Sequence, residues 1–396
     1  MSLALIIFWG SVALVAYAYV LYPAAIGLLA RVRPRRRRET HPIPCSVSFV
    51  MAARQEGLRV YEKAVELTAQ LDRAGVDGEV IVVLDGPGLP GDVLQWLRDE
   101  PRVQLIERPQ PQGKAAALAE GARHARREIL ALCDVRQTWQ DDALERLLER
   151  FCDPRVGAVS GDLVLLDNRG MIAGVGLYWR YEKWLRAAES RFDSVVGLTG
   201  AICTVRRELF HAPPPGTILD DVYWPMRVVM AGYCVEHDRR AVAHDRLPDH
   251  PRDEFHRKVR TLAGNFQLVA LLPGLLLPWR NRLWWQLISH KLLRLAVPWA
   301  LLAALIASAL IVHPVYRVVF AMQTILYGLT ALGILTGFAG RHRLTAAAAS
   351  FVLLNAAAWT AFWVWASGRA ARSWGSANYR DTVPTPAKRP SDCAVG

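Results

Sequence analysis

The two ends of the chain follow one hydrophobic pattern and its middle another. From Leu3 to Ala30 no charged side chain occurs, a run longer than the roughly 20 residues a helix needs to cross a bilayer. This predicts a transmembrane helix over residues 1–30. Ala16-Tyr17-Ala18 has the small residues of a signal-peptide cleavage site, but no basic segment precedes the run and the apolar stretch continues past it. Near the other end, three apolar stretches at about Leu295 to Val312, Val318 to Ala339 and Leu344 to Ser367 are each long enough to span. Phe266 to Pro278 competes for the same role, which leaves the number of C-terminal spans and the side of the tail open.

Between these ends the period changes. Ser46 to Ala53 is an apolar run of strand length, followed by a helical pattern around Tyr61 to Arg73 and by the run Glu79-Val-Ile-Val-Val-Leu-Asp85. A further helical stretch, a short strand at Val103 to Glu107 and a helix from Lys114 to Arg127 lead to Glu128-Ile-Leu-Ala-Leu-Cys-Asp134. Alternating short strands and helices predict an α/β unit with a doubly wound, mostly parallel sheet. The chain then divides into an N-terminal span (1–30), a basic linker (31–39), the α/β unit (40–250), amphipathic interfacial helices (251–290), C-terminal spans (291–368) and a flexible tail (369–396).

Charge sharpens this division. The formal net charge is +12, which by itself suggests nucleic acid or an anionic membrane as partner. Residues 39–250 nevertheless hold 26 basic and 32 acidic side chains, so the α/β unit is acidic. The positive excess belongs to segments flanking the apolar runs, such as Arg31, Arg33 and Arg35 to Arg38. This excludes nucleic acid as the partner and, by the positive-inside rule, puts the α/β unit on the cytoplasmic face of the inner membrane. The six cysteines are scattered without metal-ligand spacing and read as reduced thiols.

The candidate chemistry lies at strand ends. Asp85 and Asp134 each close a predicted strand, and ligands of such sheets bind outside the carboxyl ends of strands. Aspartate is also a favoured cap and turn residue, so each alone is ambiguous, and only their repetition favours a site. Carboxylates there suit Mg²⁺ or Mn²⁺ shared with substrate phosphates. Asp220-Asp221, just before an apolar helical run, is open to the same two readings, helix cap or paired catalytic carboxylates.

Taken in order, these motifs resemble the membrane-bound family-2 glycosyltransferases, the group of cellulose, hyaluronan and poly-N-acetylglucosamine synthases, over roughly Val47 to Gln267. Val47-Ser-Phe-Val-Met-Ala-Ala-Arg-Gln-Glu56 looks like that family's opening strand, Asp85-Gly86 like its second-strand Asp-Gly, and Gly113-Lys114-Ala115 like its Gly-Lys helix start. The resemblance implies a glycosyltransferase type A fold and a nucleotide-sugar site drawn from Ala53, Glu56, Asp85, Lys114, Asp134 and Arg136. It implies an acceptor side at Gly200, Asp220 and, on weaker grounds, Asp162 and Glu182, with Asp221 as the general base of an inverting transfer. Mg²⁺ or Mn²⁺ on Asp134 belongs to the same expectation. The partners it implies are a nucleotide sugar, a glycan or lipid-linked acceptor, the bilayer, and a second copy of the chain or an envelope-export protein.

Besides Ala52 and Gln55 in the opening strand, two motifs depart from the family. Asp134-Val135-Arg136 stands where Asp-x-Asp is usual, so Arg136 either replaces part of the metal's role or leaves Asp134 as its one carboxylate. Where processive synthases carry Gln-x-x-Arg-Trp, this chain has Arg257, Arg260 and Thr261. Arg257 and Arg260 remain candidates for the nucleotide, while the missing tryptophan weakens the case for polymerisation. Single transfer to a lipid acceptor and a catalytically silent membrane scaffold are the competing readings. Tyr178, Trp179, Tyr181 and Trp184 have helical spacing and read as packing residues rather than a sugar platform.

Overall fold

The structure is a computed structural model that describes residues 2–38, 40–166, 173–246, 251–335 and 343–369. Eight strands form one sheet: β1 (Ser46–Ala53), β2 (Asp77–Asp85), β3 (Val103–Arg108), β4 (Ile129–Asp134), β5 (Thr138–Trp139), β6 (Val156–Leu166), β7 (Ile202–Arg206) and β8 (Cys234–Arg246). Their spatial order is β3-β2-β1-β4-β7-β6-β8-β5. β3, β2, β1 and β4 are parallel, as the alternating pattern predicts. β7 is antiparallel to both neighbours, β4 and β6, so the sheet is mixed beyond β4. This reversal has a use: the chain enters β7 at the edge where β4 ends, with Cys133 opposite Ile202.

The helices are α1 (Leu3–Ala16), α2 (Tyr22–Val32), α3 (Leu58–Ala74), α4 (Gly91–Asp99), α5 (Lys114–His124), α6 (Ala143–Leu148), α7 (Ala173–Phe192), α8 (Asp220–Met230), α9 (Pro251–Leu271), α10 (Trp284–Gln286), α11 (Leu293–Leu310), α12 (Pro314–Leu335) and α13 (Arg343–Ala366). β1 is buried on nearly every residue, as a central strand covered on both faces must be. One core layer packs α3, α4 and α6 on the sheet. The other packs α5 and α8 on its opposite face, which is the doubly wound arrangement. In that layer α5 approaches closely at Gly121, where a Cβ would collide with Val50 and lie 3.1 Å from Val83 Cγ2.

Four helical stretches are long and apolar enough to cross a membrane: Leu3–Val32, Trp284–Leu310, Pro314–Gly333 and Ala348–Ala366. The first joins α1 to α2 through a π-helical turn at Tyr17–Leu21, and the second joins α10 to α11 through another at Leu287–Leu292. Phe266 to Pro278 is not a span, because α9 ends at Leu271 and a 3₁₀ turn follows at Pro273–Leu276. The second span starts at Trp284 rather than Leu295, which brings His290, Lys291 and Arg294 inside it.

Two flanking segments gain partners in three dimensions. The basic linker is tied to the α/β unit. Arg35 pairs with Glu236 and Asp153, Arg37 with Glu236 (3.2 Å), and the Arg38 amide donates to Asp153 (3.1 Å). Helix α9 docks against α13, with Phe266 stacked on Trp365 at 5.4 Å. The five described cysteines are free thiols. Cys393 and the tail from residue 370 lie outside the described residues.

Candidate active site

The parallel register brings Ala53, Asp85 and Asp134 to one edge of the sheet. Lys114 opens α5 just after Gly113, whose φ of 97° is one that only glycine adopts freely. Its ammonium lies 2.5 Å from Asp134 Oδ1 and 3.9 Å from Asp220 Oδ2. Asp220 and Asp221 form the first turn of α8, whose N-cap Leu219 offers no side-chain bond. Neither aspartate is the cap, although both favour the helix N-terminus electrostatically. A small cavity here is walled by Lys114, Gly200, Asp220 and Asp221 together with Leu132 and Trp224.

The charges in this cavity shift one another. Burial pushes the Asp221 carboxyl up and Asp220 adds to this, while Lys291, Lys114 and Arg186 pull it back, leaving it at about 6. For Lys114, burial works against the charge, but Asp134, Asp220 and Asp221 outweigh it and hold the ammonium well above its ordinary range. Burial also lowers Arg260 on α9, with Asp220 and Asp221 opposing the shift. Arg257 lies one turn earlier on α9, and its carbonyl accepts from the Thr261 hydroxyl (3.0 Å).

The other candidates take different positions. Asp85 is fully buried and accepts the amides of Gln112 (2.9 Å) and Gly113 (2.8 Å) and a bond from Arg108 (3.2 Å). It shapes the loop that presents Lys114. Ala53 is buried at the end of β1, and Glu56 closes the following turn by accepting the amides of Arg54 (2.6 Å) and Gln55 (3.0 Å). Arg136 reaches Asp245 of β8 with two bonds, 2.9 and 2.7 Å, and Gln137 joins at 2.9 Å. Asp162 faces Lys183 (2.9 Å) and His237 (3.9 Å).

Glu182 is taken by His290 (2.6 Å) and Arg294 (2.9 Å). Burial alone would raise its carboxyl, but those two cations hold it well below the ordinary range. The aromatic residues of α7 pack: Trp179 donates to Leu163 O (3.1 Å), Tyr181 to Tyr19 O (3.3 Å), and Trp184 lies against Gly27. Arg186, Lys291 and Asp245 are the site neighbours that sequence reasoning missed.

Residues 48–212 match the family model described as Glycosyl transferase family 2. This is a family 2 glycosyl transferase domain. The chain is 26% identical over 254 residues to an N-acetylglucosaminyltransferase of Rhizobium sp. (strain N33), covering 58% of this chain and 56% of that protein. It is 25% identical over 260 residues to one of Rhizobium meliloti (strain 1021), covering 60% of each. The chain thus spans little more than half the length of these curated relatives. The fold is shared with mannosyltransferase PcManGT from Pyrobaculum calidifontis, solved with GDP-Man and Mn²⁺, at a TM-score of 0.66 and 21% identity over 92% of this chain and 99% of that one.

The family 2 domain has a donor set that fits a divalent cation in a limited way. Among the described residues no group of three or more His, Cys, Asp or Glu side chains is placed to hold a metal. Asp134 is a single, partly exposed carboxylate at the strand edge. Mg²⁺ commonly uses one or two carboxylates together with substrate phosphates and water, so Asp134 suits a cation that arrives with a diphosphate.

Proposed function

We propose that the chain is an inverting glycosyltransferase embedded in the cytoplasmic membrane, which moves a sugar from a nucleotide sugar to a hydroxyl of a cell-envelope or exopolysaccharide acceptor. The observation that carries this reading is one cavity in which Lys114 and Asp221 flank Gly200 at the carboxyl edge of the parallel strands. Lys114 offers positive charge to the donor's diphosphate at the start of α5, where a helix N-terminus adds to it. Asp221, ionised above about pH 6, takes the proton of the acceptor hydroxyl as its oxygen bonds to the anomeric carbon. The bond from that carbon to the diphosphate breaks with its electron pair leaving on the nucleotide. Mg²⁺ or Mn²⁺ held by Asp134 would add positive charge at the leaving diphosphate.

The names of the two rhizobial relatives make UDP-N-acetylglucosamine the first donor to test. Radiolabelled transfer from UDP- and GDP-sugars in isolated membranes, followed by solvent partition, checks the proposal. Label in lipid or in high-mass glycan supports it, and no transfer from any donor refutes it. EDTA is expected to abolish transfer and Mn²⁺ or Mg²⁺ to restore it; indifference to chelation would remove the metal from the scheme.

A further inference from the structure

Helix α8 carries a proline at the position whose amide would otherwise serve Asp221. In an α-helix each carbonyl accepts from the amide four residues on, and four residues beyond Asp221 stands Pro225, buried inside α8. Proline has no N–H, and its ring crowds that same carbonyl. Backbone carbonyls in packed structure rarely go without a donor. Here the donor comes from a distant part of the chain: the Leu198 amide reaches the Asp221 carbonyl at 2.8 Å.

Leu198 belongs to the loop 197–200 between α7 and β7, and the residues on either side of it are held. Arg186 of α7 donates to Gly197 O and Thr199 Oγ1, both at 3.0 Å, an arrangement that suits the planar fork of a guanidinium. The Thr199 amide donates to the Ser160 hydroxyl of β6 (2.9 Å), and its carbonyl accepts from the Ile202 amide (2.9 Å). Gly197 packs so closely on α8 that a Cβ there would lie 2.9 Å from Val222 Cγ2. α7 is itself anchored, because Glu182 and Glu189, at helical spacing from Arg186, hold His290 of the second span at 2.6 and 2.8 Å.

The loop ends at Gly200, which walls the cavity between the two charged groups of the proposed transfer. A Cβ on Gly200 would lie 3.5 Å from Lys114 Nζ and 3.7 Å from Asp221 Cβ. The backbone that carries the base and the backbone that lines the reaction space are therefore joined through the Leu198–Asp221 hydrogen bond, which Pro225 makes available.

We propose that Pro225 and Arg186 are positioning residues for the transfer. Pro225 reserves the Asp221 carbonyl for the loop, and Arg186 holds the loop within reach of it, so that Asp221 and the Gly200 wall keep a fixed separation. This rests on the role proposed for Asp221. Both residues act through the backbone, on where the Asp221 carboxylate stands when the acceptor hydroxyl gives up its proton. A misplacement of about 1 Å at such a point costs up to about a hundredfold in rate.

The test uses the full chain in isolated membranes at pH 8, above the value of about 6 at which Asp221 titrates, with radiolabelled UDP-N-acetylglucosamine and the other donors of the panel. Pro225→Ala supplies an amide that competes with Leu198 for the Asp221 carbonyl. It should lower kcat by about tenfold or more with the donor's KM little changed, while the thermal midpoint stays equal or rises because a helix-breaking residue is gone. Arg186→Gln should lower kcat to a similar extent, and Arg186→Lys, which still donates to one of the two acceptors, should recover part of the rate. The double variant Arg186→Gln with Pro225→Ala should lose little more than the worse single variant, since both release the same loop. Unchanged kcat in either single variant, or losses that multiply in the double variant, overturns the proposal.

Hydrogen exchange at the Leu198 amide, followed by fragmentation mass spectrometry of the chain in nanodiscs, examines the clamp without turnover. Exchange should be about tenfold faster in Pro225→Ala and in Arg186→Gln than in the unmutated chain. Equal exchange in all three overturns the clamp whether or not any donor is used. Faster exchange in a chain that transfers from no donor refutes the transferase reading and leaves the clamp standing.

Discussion

At the scale of single residues, Asp221 makes the sharpest claim. With its carboxyl raised to about 6 by burial and by Asp220, transfer should climb as pH rises through about 6 and level off above it, losing roughly tenfold per unit below. A profile flat from pH 5 to 8 would take the base role away from it. Its folded pKa lies above the ordinary 3.8, so its contribution to stability is fullest below about pH 4 and is lost as pH rises through about 6. Asp221→Asn should therefore reduce transfer by about 10²–10⁴-fold while the midpoint of thermal unfolding at pH 7.5 stays equal or rises. Arg136 makes a contrasting claim, because its two bonds go to the buried Asp245. Arg136→Ala should cost about 2–3 kcal/mol in chemical denaturation with nucleotide affinity changed little. A selective loss of nucleotide binding at unchanged stability would instead place Arg136 on the donor. The sequence makes this arginine conspicuous through its departure from Asp-x-Asp. Its partner, more than a hundred positions away, becomes visible only when β8 lies beside β5.

At the scale of elements, the strand-helix alternation from Ser46 to Asp134 was legible because those strands are parallel and short, and β1, β2 and β4 are largely buried. β7 was not, since nothing in its five residues records which way it runs. Its direction is set by pairing with β4 and β6, and that pairing delivers Gly200 to Lys114. The contact of α5 with β1 and β2 is a close helix-sheet approach beside the site. Gly121→Ala should cost about 1–3 kcal/mol, because the added methyl meets Val50 and Val83. Denaturant titration of the variant checks this, and an unchanged midpoint would mean that α5 shifts freely and that the position of Lys114 is less constrained than described. The two π turns were invisible in the hydropathy pattern, which is apolar straight through Tyr17–Leu21. They matter because Tyr17 bonds Ser289 and Trp285, Tyr22 and His290 share Glu189, and the two sets meet in one cluster where the Tyr22 ring lies 5.1 Å from Trp285.

At the scale of the whole molecule, that cluster joins the first span, α7 and the second span, and the strap from Arg35 to Glu236 ties the linker to β8. His290→Ala leaves Glu189 with one partner fewer and removes a bond from Glu182, both on α7. The expected result is a loss of about 3 kcal/mol or more, read as a lowered unfolding midpoint in detergent. An unaltered midpoint would show that the spans and the domain are held together elsewhere. What the sequence determined by itself is what local pattern can encode: apolar runs of membrane length, the strand-helix alternation, an acidic middle between basic flanks, and the ordered Asp85, Lys114, Asp134 and Asp221. What only the tertiary structure decided is pairing across distance: Asp85 shaping a loop, Arg136 held by Asp245, and Lys114 set between Asp134 and Asp220. Hydrophobic periodicity is a property of neighbouring residues along the chain, whereas the partner of a charge depends on which elements pack together.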